Sequence, residues 1–289
     1  MNTEIILTYC PSTLEKNRIC GHTFEVMDYF LLFYDMEYSG IKILIQENID
    51  KEIMYNAWED KYNLPKDYKK YIIFSQKKII LSKNILIFTG GLYDNYLQNY
   101  KLIYKKLILM RCEPTFNYNK LSLKKYIVLE DNRVYSKYNL SINGIHYIKK
   151  IYFKRYKKIN STSAKILIYI NSNLRKIPKN ILKEKEKYLI ITGDSQPDKS
   201  YLKAPIKNLF EKFGIFLYTE TTRRFDCSPR LIAECKFYNK KIIFNFNIID
   251  YFKTDSGLKY RWYDIQNNFN NLILNKDDTL IKVIHEKLN

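Results

Sequence analysis

Glycine and proline are scarce, at eight and seven of 289 residues, which excludes a collagen-like chain and long Gly/Ser linkers. The five cysteines, Cys10, Cys20, Cys112, Cys227 and Cys235, show neither the paired spacing of a metal site nor the density of a disulfide framework, so a reducing compartment is expected. No apolar run approaches the roughly 18 residues of a membrane span; the nearest, 30–33, lies among Asp28, Asp35 and Glu37. The opening MNTEIILTYCPS lacks a basic segment followed by a hydrophobic one, so no secretory signal is expected and a cytoplasmic location is. The phosphate loop, the G-x-G-x-x-G fingerprint and the G-x-S-x-G elbow are all missing, which removes support for kinase, dehydrogenase and α/β-hydrolase chemistry. Three histidines and the absence of an Asp-x-Asp motif leave no credible zinc site and no motif that demands a metal.

Acids are the minority charge: 49 Lys+Arg against 30 Asp+Glu give a formal charge of +19. Lys, Asn, Ile and Tyr have AT-rich codons, so genome composition accounts for part of this excess. Distribution is more telling, because Lys149 to Lys187 holds thirteen basic residues and two acids, Glu184 and Glu186. Such a block reads either as a solvated face or as a surface that attracts a polyanion.

With 46% hydrophobic and 16% aromatic residues the chain has ample material for a core. Short Ile/Leu-rich runs at 5–9, 41–45, 71–74, 85–88 and 107–110 lack clean alternation, as expected of strands covered on both faces. Between the first two, Phe24, Met27, Phe30, Leu31 and Tyr34 recur at helical spacing, predicting a helix over 23–36 that stops near Ser39-Gly40. The grammar repeats with strands at 165–170, 188–191, 215–218 and 241–246, helices at 202–213 and 229–238, and a further helical pattern at 279–288. The basic, aromatic stretch 117–158 has no assignable elements and contains the junction. The expected architecture is α/β, with two Rossmann-like domains, 1–158 and 159–289, facing across a cleft that takes ligand at the carboxyl ends of the strands.

The most informative stretch is TTRRFDCSPRLIAECKFYNKKIIF, which begins at Thr221. Ser228 suits an N-cap and Pro229 the first helical position, so a helix should open here with free amides suited to an anion. Arg230 can add a bidentate contact, and Glu234 lies on the same helix face. The plain alternative is a capped helix with an Arg–Glu pair worth about a few tenths of a kcal/mol.

SPRLIAECKFYNKKIIF resembles the donor-site helix of GT-B glycosyltransferases: a small-residue/Pro loop opens a helix, an acid follows, and a Lys-rich turn leads to the next strand. The resemblance implies that Ser228 and Arg230 meet the diphosphate of a nucleotide sugar and Glu234 its ribose. It adds Gly193, Asp194, Arg224, Pro229 and Arg261 to the donor side, with Arg261 able to neutralise the leaving group; a surface turn is the equal alternative for Arg261. More weakly it extends to Gly21-His22-Thr23-Phe24-Glu25, Thr89-Gly90-Gly91 and Arg111-Cys112-Glu113-Pro114, where acceptor domains present loops. Gly21, Glu25, Gly90, Gly91 and Arg111 are then acceptor-binding. The chain departs from many members in lacking the usual donor-loop glycines and in being short for the fold.

Within that family, the small size, Lys/Tyr-rich composition and basic charge look most like the phage enzymes that glycosylate hydroxymethylated DNA bases. Double-stranded DNA would then be the partner, a nucleotide sugar the co-substrate, and the host cytoplasm the location. No cofactor is implied, and a divalent cation is compatible but not required. Inverting transfer needs a base for the acceptor hydroxyl. Glu113, Asp94 and His22 are the candidates, each with a structural alternative as a surface carboxylate or a packed histidine. The same residues also fit a glycosyltransferase acting on a cell-surface glycan, or a non-catalytic nucleic-acid-binding protein on a Rossmann-like scaffold.

Overall fold

The computed structural model describes residues 3–9, 19, 21–46, 50–75, 79–89, 101–111, 126–130, 145–147, 151–160, 163–170, 183–192, 202–203, 206–218 and 230–244. The first half contains β1 (Ile5–Thr8), α1 (Gly21–Asp35), β2 (Ile41–Gln46), α2 (Lys51–Lys61), β3 (Ile72–Ser75), β4 (Ile79–Leu81), β5 (Ile85–Thr89), β6 (Lys101–Ile103) and β7 (Lys106–Arg111), then β8 (Tyr126–Glu130) and β9 (Ile145–Tyr147). The second half contains β10 (Ile166–Ile170), β11 (Tyr188–Thr192), β12 (Leu202–Lys203), β13 (Ile215–Tyr218), α3 (Arg230–Phe237) and β14 (Lys241–Phe244).

The chain is α/β with parallel sheets and few helices among the described residues. Seven strands pair in the order β3-β2-β1-β5-β7-β8-β9 and five in the order β12-β11-β10-β13-β14, all parallel. Both orders run third, second, first, then fourth and fifth in chain sequence, the doubly wound order that reverses direction beside its first strand. β4 and β6 form a separate parallel pair. β1 and β5 are buried along their whole length, which is why they read as continuous apolar runs rather than alternating ones.

Helix α1 is nearly enclosed, with Glu25 through Phe33 buried. Its end is a Schellman motif: the Glu37 amide donates to Tyr34 O (3.0 Å), the Tyr38 amide to Phe33 O (3.1 Å), and Glu37 takes φ 62. The expected stop at Ser39-Gly40 is thus made two residues earlier, at a glutamate. Gly40 serves a different need, since a Cβ there would lie 2.6 Å from Thr3 O. Helix α3 closes the same way on Asn239 (φ 52), with the Lys240 amide donating to Cys235 O (2.8 Å).

Helix α2 has no counterpart in the sequence-based expectation. Its signals are Asp50, whose carboxylate caps the amides of Glu52 and Ile53 (2.8 and 3.2 Å), and the buried set Met54, Ala57 and Trp58 at helical spacing. Trp58 Nε1 donates to Thr23 O (2.9 Å) and Tyr62 Oη to Phe24 O (3.1 Å), which pins α2 to the start of α1.

The helix expected over 202–213 is corrected. β12 occupies its start and a single 3-10 turn, Leu209–Glu211, its end, preceded by Asn208 at φ 52. Pro205 is the sequence signal against a continuous helix, because a proline disfavours helical backbone in the residue before it. Phe210 and Phe213 are buried all the same, so the apolar spacing reflects core packing rather than helical period. The stretch 117–158 contains β8, β9 and a 3-10 turn at Phe153–Arg155. That turn is tied to the end of α1: Asp35 accepts from Arg155 Nε (3.1 Å) and from the Tyr152 hydroxyl (2.8 Å). The pattern at 279–288 lies outside the described residues.

Candidate functional site

In the seven-stranded sheet the order reverses between β1 and β5, and doubly wound sheets take ligands outside the carboxyl ends of the strands at such a point. Two buried threonines tie those ends together: Thr8 Oγ1 donates to Leu44 O of β2 (2.8 Å), and Thr89 Oγ1 donates to Thr8 O (3.3 Å). Helix α1, the first helix after β1, starts at Gly21, where an added Cβ would meet nothing within 4 Å.

His22 follows, its side chain 30% exposed, with Nδ1 3.2 Å from Oε2 of Glu25, a buried carboxylate one turn on. The separation is that of a hydrogen bond between the ring and the carboxylate, with the tautomer setting which of the two donates. A histidine oriented by a carboxylate is the arrangement of a general base. Of the three candidate bases, His22 is the one whose surroundings are described, and it brings Glu25, an expected acceptor-side residue, into the same unit.

A second constellation is built around the first residue of α3. Arg230 Nη2 lies 2.5 Å from Asp28 Oδ2 of α1 and 3.0 Å from Tyr62 Oη, and it also reaches the Tyr156 hydroxyl. Its Nε donates to Glu234 Oε1 (2.8 Å), so the expected i,i+4 pair is formed. The same Glu234 oxygen accepts from Lys61 Nζ (2.7 Å) and Tyr156 Oη (2.9 Å), and the Tyr152 amide donates to Asp28 Oδ1 (3.2 Å). Lys61 Nζ also stands 3.8 Å above the Phe24 ring. Two acids and two bases make the cluster neutral. Their side chains are 0% (Asp28), 4% (Glu234), 14% (Lys61) and 15% (Arg230) exposed.

Burial dominates the electrostatics. It pushes the Asp28 carboxyl up to about 6 in spite of Arg230. Burial also acts upward on Glu234, but the Lys61 and Arg230 charges and their hydrogen bonds outweigh it and hold that carboxyl below its ordinary value. Burial pulls Lys61 down against Glu234, and raises the Tyr62 and Tyr156 hydroxyls so that both stay protonated.

Arg230 and Glu234, which the family resemblance assigns to diphosphate and ribose, are therefore occupied by partners within the protein. Asp28, Lys61, Tyr62 and Tyr156 belong to no sequence-based set. One signal was available: Asp28 is an acid inside the apolar stretch from Val26 to Phe33, and such an acid needs a buried partner. Arg111, expected in a loop after the strand, is the last residue of β7. Gly90, Gly91, Asp94, Glu113, Gly193, Asp194, Arg224, Ser228, Pro229 and Arg261 lie outside the described residues. Among the described residues no group of three or more His, Cys, Asp or Glu is arranged to hold a metal ion, and no helix is long and apolar enough to cross a membrane. No protein-family model matches the chain, and neither curated proteins nor solved structures provide a match.

Proposed function

We propose that the protein transfers a sugar from a nucleotide-diphosphate donor to a hydroxyl acceptor on a two-domain scaffold of GT-B type, with hydroxymethylated pyrimidines of DNA as the acceptor. The observation that carries this reading is the pair of parallel sheets with one shared strand order, the first bearing the His22–Glu25 pair on the helix that follows β1. In the inverting form of the reaction the acceptor oxygen bonds to the anomeric carbon as the bond to the diphosphate breaks. His22 Nε2 takes the hydroxyl proton, while Glu25 orients the ring and stabilises the imidazolium.

On the donor side, Arg230 and Glu234 act as scaffold. They fix the start of α3 against the first sheet unit, and the diphosphate contact falls to Ser228, as the family resemblance implies. The charge of +19 supports an anionic polymer as the acceptor.

A thermal-shift series with nucleoside diphosphates and their sugars tests the reading. A ligand at about a hundredfold excess over its Kd adds about 2.7 kcal/mol of stability, so one nucleotide should raise the melting temperature clearly. His22→Asn should then lower kcat and leave donor binding intact. Added salt should weaken turnover on long duplex without slowing hydrolysis of the sugar nucleotide; equal sensitivity of both would remove DNA as the acceptor.

A second reading, non-catalytic nucleic-acid binding, is favoured by the internal saturation of Arg230 and Glu234. It predicts salt-sensitive duplex binding and no thermal shift with any nucleotide.

A further inference from the structure

Two short segments, one before each half of the second sheet, share a composition: FKRYKK at 153–158 and KFYNKK at 236–241. Together they hold seven lysines and arginines, four aromatic rings and no acid, whereas the whole chain has 30 acids to 49 bases, so their charge exceeds the general excess. Folding brings the two into contact. Phe237 lies flat on Phe153 with 4.3 Å between ring centroids, Tyr156 meets Phe237 edge-on at 5.6 Å, and Tyr238 Oη donates to Lys157 O (3.0 Å).

Part of this charge is spent inside the protein. Lys240 is turned inward, its Nζ donating to Phe213 O (2.8 Å), while Asp35 accepts from Arg155 Nε (3.1 Å) and lies 3.4 Å from Lys154 Nζ. Two acids beside the segments are engaged as well: Glu59 by Lys69 (2.9 Å) and the Tyr68 hydroxyl (2.7 Å), and Asp60 by the Asn208 amide (2.8 Å). Lys157 and Lys158 are exposed, and the Lys157 ammonium donates to a carbonyl, that of Glu59, rather than to a carboxylate. Phe237 is 36% exposed. One face of its ring rests on Phe153, so solvent reaches the ring from the other side.

An exposed ring set among ammonium groups fits a polyanion that also carries flat apolar groups, since phosphates meet the lysines while a base stacks on the ring. A duplex keeps its bases in their own stack and could use the lysines alone, and a run of acidic side chains offers charge without a ring. We infer that the 153–158 and 236–241 segments form a docking surface for single-stranded nucleic acid, with Phe237 as its stacking platform and Lys157 and Lys158 as its phosphate contacts. The surface requires no sugar donor and is independent of the sugar-transfer reading.

Fluorescence anisotropy of the full chain with a labelled thymidine oligonucleotide of about twelve residues, without any nucleotide sugar, tests the surface. Affinity should fall with salt, and the slope of log K against log salt should shrink by about 0.7 for each of Lys157→Gln and Lys158→Gln. Lys83→Gln and Lys105→Gln, at exposed lysines ahead of β5 and β7, should change affinity far less. Phe237→Leu should weaken binding by about fivefold to about a hundredfold with the slope unchanged, and Phe237→Tyr should retain it. A strand of the same length with every base removed should bind the wild type about as weakly as the intact strand binds Phe237→Leu. No binding at low salt, equal affinity for the base-free strand or for a duplex of the same length, or full affinity in Phe237→Leu would each overturn the inference. If Phe237→Leu does not fold, the base-free strand decides. Failure here leaves the donor-nucleotide series untouched, and failure of that series leaves this surface untouched.

Discussion

Arg230 joins more of this structure than any other side chain described above. It neutralises Asp28, bonds Glu234 within its own helix and contacts two tyrosine hydroxyls. Arg230→Met would leave the Asp28 carboxylate buried without its cation, and breaking one side of a buried pair costs about 3–5 kcal/mol. Melting at neutral pH should show that loss. Asp28→Leu combined with Arg230→Met should lose less than Arg230→Met alone, because no stranded charge remains. The single variant should also recover part of its loss in mild acid: the raised Asp28 value means that the neutral carboxyl is the form the buried site prefers. A single variant that melts like the wild type would mean that Asp28 and Arg230 do not meet as described.

The helices show which local signals can be trusted. α1 was legible because its apolar residues recur at helical spacing, but its terminus was not, since the left-handed position is filled by Glu37 rather than a glycine. α2 carries a clear cap at Asp50 yet is short, and only three of its residues are buried, so its period is faint. The expected helix over 202–213 failed for the opposite reason, its spacing being produced by Phe210 and Phe213 packing from a 3-10 turn and a loop. Gly40 offers a direct check on the turn between α1 and β2. Gly40→Ala forces a methyl against the Thr3 carbonyl, beside the Ile5 amide bond to Gly40 O (3.1 Å) that starts the β1–β2 ladder. The variant should lose about 1–3 kcal/mol in urea unfolding, as other overpacked sites do. Gly21→Ala, placed in open space, should lose far less.

A charge of +19 acts on the protein as a unit, through self-repulsion that disfavours the compact state. Raising ionic strength from about 0.05 to about 0.3 M should screen this repulsion and raise the melting temperature, while weakening any complex with duplex DNA. A melting temperature that falls with salt would place the balance with favourable ion pairs instead.

The strands of the two sheets were largely readable from the chain, since Ile- and Leu-rich runs a few residues long, separated by helix-length segments, admit few arrangements other than parallel sheets covered on both faces. The i,i+4 relation of Arg230 and Glu234 was equally readable, being a property of one helix. What those two side chains bind was decided by folding. Their partners Asp28, Lys61, Tyr62 and Tyr156 lie between 74 and 202 residues away, and a separation of that size leaves no periodic trace in the chain. Short-range geometry is written in the order of residues. The company a buried charge keeps depends on which surfaces meet, and only the assembled protein specifies that.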